Sequence, residues 1–125
     1  MLSSLGCILQ AHRIMLVLKL VTFTSDFGWQ SEACGIMEAT VLEICAEART
    51  VHLSHGVAPF NVMNGARELE CVISLRPAIH VCVVDPGVGN SRAPLVLDIP
   101  KLGYLIGPDN GVLIPVARMA GGLGQ

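Results

Sequence analysis

The sequence is poor in charge. Only 14% of its 125 residues are Asp, Glu, Lys or Arg, and the net charge is -2. So small a balance supplies no basic field, which argues against nucleic acid and acidic membrane surfaces as partners. The five cysteines (Cys7, Cys34, Cys45, Cys71 and Cys82) form no CxxC pair and sit mostly within apolar runs. They read as small core residues in a reducing compartment, and no metal site is expected. The opening stretch is interrupted by His12, Arg13 and Lys19, so it holds no run near the ~20 apolar residues that a membrane span needs. It also lacks the basic start and small-residue cleavage site of a secretory signal. Residues 1–18 are therefore an N-terminal extension of uncertain role, a degenerate organelle-targeting leader being one alternative to a cytoplasmic location. Repeats, low-complexity blocks and linkers are missing too.

What is abundant is apolar. Hydrophobic residues make up 52% of the chain and the mean hydropathy is +0.61. The length suits one domain or part of one, and this balance leaves apolar surface for a subunit interface or further chain. From Lys19 onward the pattern alternates. "KLVTFT" is a β-branched strand, and Ile36, Met37, Thr40, Val41 and Ile44 then recur as one helical face, opposite Glu38, Glu43 and Glu47. "TVHLSH" is a short strand. A second helical stripe runs through Val62, Ala66, Leu69, Val72 and Ile73, with Asn61 placed to cap it. The strand "AIHVCVV" follows, then "LVLDI" and "GYLIG", which pair as a hairpin across "PKL". The order β-α-β-α-β predicts an α/β three-layer sandwich with a mostly parallel sheet over residues 19–125.

In such sheets ligands gather beyond the carboxyl ends of the strands. "TSDFG", "SHGVAPFN" and "VDPGVGNSR" fall there, so one mouth is expected to hold Asp26, His55, Phe60, Asp85 and Arg92. "GVGNSR" lacks the third glycine of a dinucleotide fingerprint and the GK[ST] ending of a P-loop. Pro86, Gly87 and Gly89 let the chain turn sharply and return Arg92 toward Asp85. Two readings of that pair stand: an ion pair bracing a turn, or a functional pair, which its place at a strand end favours. Asp26 is either a turn former or a carboxylate for the paired hydroxyls of a ribose. His52 and His55 are placed on one face of a strand, without a third ligand at metal spacing. Asn110, in the turn "GPDNG", offers a ligand both a donor and an acceptor.

Taken in order, "TFTSDFG", "VHLSHGVAPFNVMNGARELE", "IHVCVVDPGVGNSR" and "LIGPDNGVL" resemble the S-adenosyl-L-methionine (SAM) hydroxide adenosyltransferases, relatives of the SAM fluorinase and chlorinase. The resemblance spans about Lys19 to Leu113 and implies the N-terminal α/β domain of that family, whose full-length members add a C-terminal β-barrel domain. It also implies a homotrimer that holds SAM between the first domain of one subunit and the second domain of its neighbour. By the same resemblance Asp85 and Arg92 are catalytic. Asp26 binds the ribose, Phe60 packs on the sugar, and Asp85 joins the substrate-binding set, to which Asn110 is added for its donor and acceptor. No cofactor is implied, SAM itself being the substrate.

Several positions depart from the family pattern. Ser31 and Ala33 stand for an acidic and an aromatic residue, His52 for an aspartate, Glu38 for a lysine and Asn61 for an aspartate. Halogenases carry a tyrosine at the place of Asp85 and a threonine at the place of Val88, so water or hydroxide is the expected nucleophile. The family's catalytic histidine lies in a later segment, and His12, His52, His55 and His80 all occupy other positions. The expected activity is hydrolysis of SAM to adenosine and L-methionine, with the 125-residue chain inactive alone. The alternatives are an interaction subunit that keeps the fold and, more weakly, a SAM-dependent halogenase.

Overall fold

The computed structural model describes residues 19–87, Gly89 and 92–122; the extension expected over residues 1–18 lies outside them. Five strands form one sheet: β1 (Leu20–Ser25), β2 (Arg49–Ser54), β3 (Ala78–Val83), β4 (Pro94–Ile99) and β5 (Gly103–Pro108), in the order β2-β1-β3-β5-β4. All pairings are parallel except β4 with β5, which are antiparallel. The hairpin expected across "PKL" is that antiparallel pair. Its second strand runs on to lie beside β3, leaving β4 at the edge.

The chain moves from β1 outward to β2, then crosses back over β1 to β3. With right-handed crossovers this reversal puts the two connecting helices on opposite faces of the sheet. Helix α1 (Glu32–Ile44) brings Met37 and Val41 onto Val21, Phe23 and Ile79. On the other face, α2 (Val62–Leu69) and a short C-terminal helix, α3 (Ile114–Met119), bury Ala66, Leu69, Val116 and Ala117 against Cys82, Val84 and Leu105. Leu69, Leu105 and Leu113 are fully shielded from solvent. Each contributes on the order of 2–3 kcal/mol through its burial.

Three expectations change. The apolar face assigned to α1 is rotated: Ile36 and Ile44 are exposed, while Cys34 and Cys45 are buried. The inward stripe is Cys34, Met37, Glu38, Val41 and Cys45, a 3-4 spacing that carries Glu38 in as well. The helical stripe extended to Ile73 breaks after Leu69 into a 3₁₀ turn over Glu70–Ser74. Helix α3 went unanticipated, although Pro115 in its first turn and Gly121 just beyond it are the usual start and stop signals. Among the described residues no helix is long and apolar enough to cross a membrane.

The cysteine expectation holds for Cys34, Cys45 and Cys82, which are buried and free; Cys71 is free and exposed. Burial pushes the Cys82 thiol up to about 12, leaving it a small apolar side chain at neutral pH.

His80 on β3 is fully buried. Its Nδ1 meets the Thr22 hydroxyl at 2.8 Å, and its Nε2 has no partner in hydrogen-bonding geometry among the described residues. Burial lowers its pKa to about 4, against a weaker opposing influence of the Leu102 carbonyl. The unfolded chain, with an imidazole near 6.5, then binds the proton first, so stability present above 6.5 is lost as pH falls toward 4. The loss attributable to His80 should approach about 3 kcal/mol. Urea unfolding at pH 7.5, 6 and 5 should show that fall and a flatter pH dependence in His80→Gln. Identical slopes in the two proteins would contradict it.

Candidate functional site

The crossing that reverses the chain leaves the carboxyl ends of β1 and β3 side by side, with Ser25 registered against Val83. Asp26 and Asp85 therefore emerge at the same edge of the sheet, at the switch point where open α/β sheets hold their ligands. β3 drives an apolar run into this edge because both its faces are covered, and the Pro86–Gly87 turn ends it.

Asp85 is the better enclosed member of the site. One carboxylate oxygen accepts the Gly87 backbone N–H at 2.9 Å and lies 3.5 Å from an Arg92 guanidinium nitrogen. Gly89 between them has φ of 91°, the left-handed conformation that returns the chain toward β4. The pair borders an open cavity of about 330 Å³ whose walls include Val81, Val83, Ile106 and Pro108. An apolar wall with one ion pair at its rim suits a ligand that is mostly apolar with a few polar anchors.

Asp26 reaches across to the loop after β2. Its Oδ2 accepts the backbone N–H of Phe60 at 2.7 Å, joining positions 34 residues apart. Phe60 adopts φ of 59°, in the left-handed region that a bulky residue rarely enters, and its ring is 66% exposed. Strain of about 1–3 kcal/mol persists only where surrounding bonds fix it, and here the Asp26 carboxylate does so. Asn61 caps α2 by accepting from the Asn64 N–H, as its position in the sequence suggests.

The expected mouth thus resolves into two pairs, Asp26 with Phe60 and Asp85 with Arg92. His55 does not face the opening. It is buried, and its Nδ1 lies 2.6 Å from the Ser25 hydroxyl. Asn110 already spends both ends of its amide: its nitrogen donates to the Val84 carbonyl at 2.8 Å and its oxygen accepts the Val112 N–H at 3.1 Å. It ties the turn after β5 to the residue just before Asp85. His52 and His55 do meet, but by a different route from simple alternation: pairing skips Leu53, β2 ends at Ser54, and His55 turns back from the loop. Among the described residues no group of three metal-ligating side chains is suitably placed.

Two further polar residues beside the site escaped the sequence reading. Glu38 bonds Thr50 and His52, and its carboxyl is held below its ordinary range, first by the Thr50 hydroxyl and next by His52. Ser25, at the last position of β1, lies under the Asp26 turn and accepts the Phe27 N–H at 3.2 Å. The alternation of Thr50 and His52 along β2, set against the 34-37-38-41 stripe of α1, is the signal that points to Glu38.

Comparison with known proteins gives consistent results. A family model described as the SAM hydroxide adenosyltransferase N-terminal domain matches residues 21–124. The chain is 36% identical over 110 residues to a protein of Methanocaldococcus jannaschii named (R)-S-adenosyl-L-methionine hydrolase, covering 84% of this chain and 42% of the relative. A protein of the same name from Salinispora arenicola is 36% identical over 104 residues, covering 82% of this chain and 40% of the relative. Among solved structures, an uncharacterized conserved protein from Thermotoga maritima superimposes with a TM-score of 0.76 at 34% identity, covering 81% of this chain and 40% of that one. The chain thus spans about two fifths of the length of the curated relatives it matches.

Proposed function

Because the chain belongs to the SAM hydroxide adenosyltransferase family, as its N-terminal domain, we propose that the protein carrying it hydrolyses SAM to adenosine and L-methionine. The reading rests above all on the Asp85–Arg92 pair, which borders an apolar cavity at the carboxyl end of β3. The names of the relatives support it from outside the chain.

The reaction is displacement at the ribose 5′ carbon. A water oxygen forms the new C–O bond while the C–S bond breaks, its electron pair returning to sulfur as methionine leaves. The water gives up one proton, which leaves to solvent, so the sulfonium cation and water become adenosine, methionine and H⁺. The sulfonium is already a good leaving group, so the protein has little to do for departure. Its task is to hold a weak nucleophile in line and away from bulk water. Asp85 accepts a hydrogen bond from that water, and Arg92 with the Gly87 N–H fixes the carboxylate. Asp26 takes the ribose hydroxyls, exchanging its bond to the Phe60 N–H or sharing it. The exposed Phe60 ring covers the sugar. Residues 19–125 act here as the first domain of a cytoplasmic homotrimer, the second domain of a neighbour closing the pocket.

The test is product analysis with a protein of the relatives' full length that carries this domain. Incubated with SAM in ¹⁸O-labelled water, with and without chloride, it should yield adenosine labelled at the 5′ oxygen in both cases. A 5′-halogenated nucleoside would transfer the reading to the halogenases. A second reading, an interaction subunit that keeps the fold, is favoured by the exposed apolar side chains Ile36, Ile44 and Val51 near the β2 edge. It requires that no nucleoside be released at all.

A further inference from the structure

On the α1 face of the sheet four polar side chains form an unbroken line. Glu38 Oε2 lies 3.1 Å from His52 Nε2, His52 Nδ1 lies 2.6 Å from His55 Nε2, and His55 Nδ1 lies 2.6 Å from Ser25 Oγ. Glu38, His52 and His55 all border a cavity of about 400 Å³ whose walls also include Trp29, Glu32 and Cys34. The inner end is the fully buried Ser25. Trp29 sets its edge against the His55 ring at 5.0 Å, and Phe23 lies against His52 at 5.1 Å, so the line runs between apolar walls.

Proton counting gives this line a direction. Glu38 as a carboxylate only accepts, so His52 carries its hydrogen on Nε2 and presents a bare Nδ1. His55 must then donate from Nε2, which leaves its own Nδ1 to accept the Ser25 hydroxyl hydrogen. Ser25 keeps a lone pair for the Phe27 N–H, the bond that shapes the turn carrying Asp26. Each contact is satisfied with one hydrogen per imidazole and no net charge on either ring. One added proton reverses the order. Ser25 takes it up while passing its own hydrogen to His55 Nδ1, and His55 passes its Nε2 hydrogen to His52 Nδ1. The charge comes to rest on His52 beside Glu38, and the Ser25 hydroxyl hydrogen is freed toward the Asp26 turn.

We propose that Glu38, His52, His55 and Ser25 form a directional proton relay, which fixes the Asp26 turn when both imidazoles are neutral and reverses on taking up one proton. The Ser25 end of the line points toward the candidate site. Ser25 is registered beside Val83, a wall of the Asp85 cavity and on the same face. Burial and the neighbouring His52 charge both hold His55 below its ordinary range, so the positive charge settles on the outer ring. The titratable groups facing the line are Glu32, Cys34 and Glu38 from α1 and Asp26 from the end of β1. No Lys or Arg among the described residues lines its outer cavity. The four are positioning residues, acting through Ser25 on the turn.

The test needs neither substrate nor turnover. In the ¹⁵N-labelled chain, two-bond ¹⁵N–¹H spectra report which ring nitrogen of each assigned histidine bears hydrogen. At pH 8 both His52 and His55 should be Nε2–H forms. On acidification His52 should become doubly protonated while His55 stays neutral and changes to the Nδ1–H form. The Phe27 amide should shift with the same midpoint. In Glu38→Gln, whose amide oxygen can still accept from His52 while its nitrogen turns to the Thr50 hydroxyl oxygen, the charge is removed and the reversal should move to lower pH. An Nδ1–H form of His55 at pH 8, a first proton taken by His55, or an unmoved midpoint in Glu38→Gln would each overturn the relay. None of these outcomes bears on which nucleoside the site releases, so the relay and the hydrolytic reading fail separately.

Discussion

Replacing Asp85 with alanine in the full-length protein should lower single-turnover adenosine formation about 10²-fold or more, the cost expected when the attacking water is no longer held in line. SAM affinity should stay nearly unchanged, since the carboxylate acts on the attacking water, an interaction felt mainly in the transition state. Arg92→Ala should follow it, because Arg92 holds the Asp85 carboxylate at 3.5 Å. Asp26→Ala should behave differently. Its ribose contacts exist in the ground state too, so binding should weaken by about 1.5 to 3 kcal/mol for each charge-assisted bond lost. Calorimetric affinities and single-turnover rates for the three variants separate the roles, with circular dichroism to establish folding. Near-normal turnover in Asp85→Ala would leave the Asp85–Arg92 pair as a brace for its turn.

Gly103→Ala should cost at least about 4 kcal/mol of stability, a large part of the ~5–15 kcal/mol that holds a domain folded. Gly103 opens β5 with φ of 95°, and a Cβ there would sit 2.1 Å from the Ala78 carbonyl oxygen and 2.7 Å from its nitrogen. Both obstructing atoms belong to backbone, which cannot swing aside as a side chain can. Relief therefore requires β3 and β5 to part at their Ala78–Gly103 pairing, beneath the strand that delivers Asp85. Gly35→Ala is the matching control. That glycine is exposed within α1 with nothing within 4 Å of the new methyl, so the change should stabilise by about 0.5–1 kcal/mol. Urea midpoints measure both, and a Gly103→Ala protein within 1 kcal/mol of the parent would contradict the steric argument.

The strands were readable because β-branched runs such as "LVTFT" and "AIHVCV" fit buried parallel strands and little else. The face of α1 was not, because Ile36 and Ile44 attract attention as apolar residues yet remain exposed, while Glu38 is drawn inward by Thr50 and His52. Tertiary partners decided that rotation, and a single helix does not contain them. The same limit separates the two halves of the site. Asp85 and Arg92 are close in sequence, so turn chemistry alone brought them together. The Asp26 bond to the Phe60 backbone, by contrast, depends on how β1 and β2 are registered.

The strand order also bears on how the chain is made. β1 sits inside the sheet, yet it is synthesised before both of its neighbours. Thr22 waits for β2, and its partner on β3, His80, lies 58 residues further along. At roughly 5–20 residues per second, that delay lasts about 3 to 12 seconds. During it, a strand whose inner residues are all buried in the finished domain stands with at least one edge unpaired in the growing chain. Pairing at such separation also carries a loop-closure cost before any contact rewards it. The strand that leads into Asp26 is thus exposed to a holding chaperone during translation.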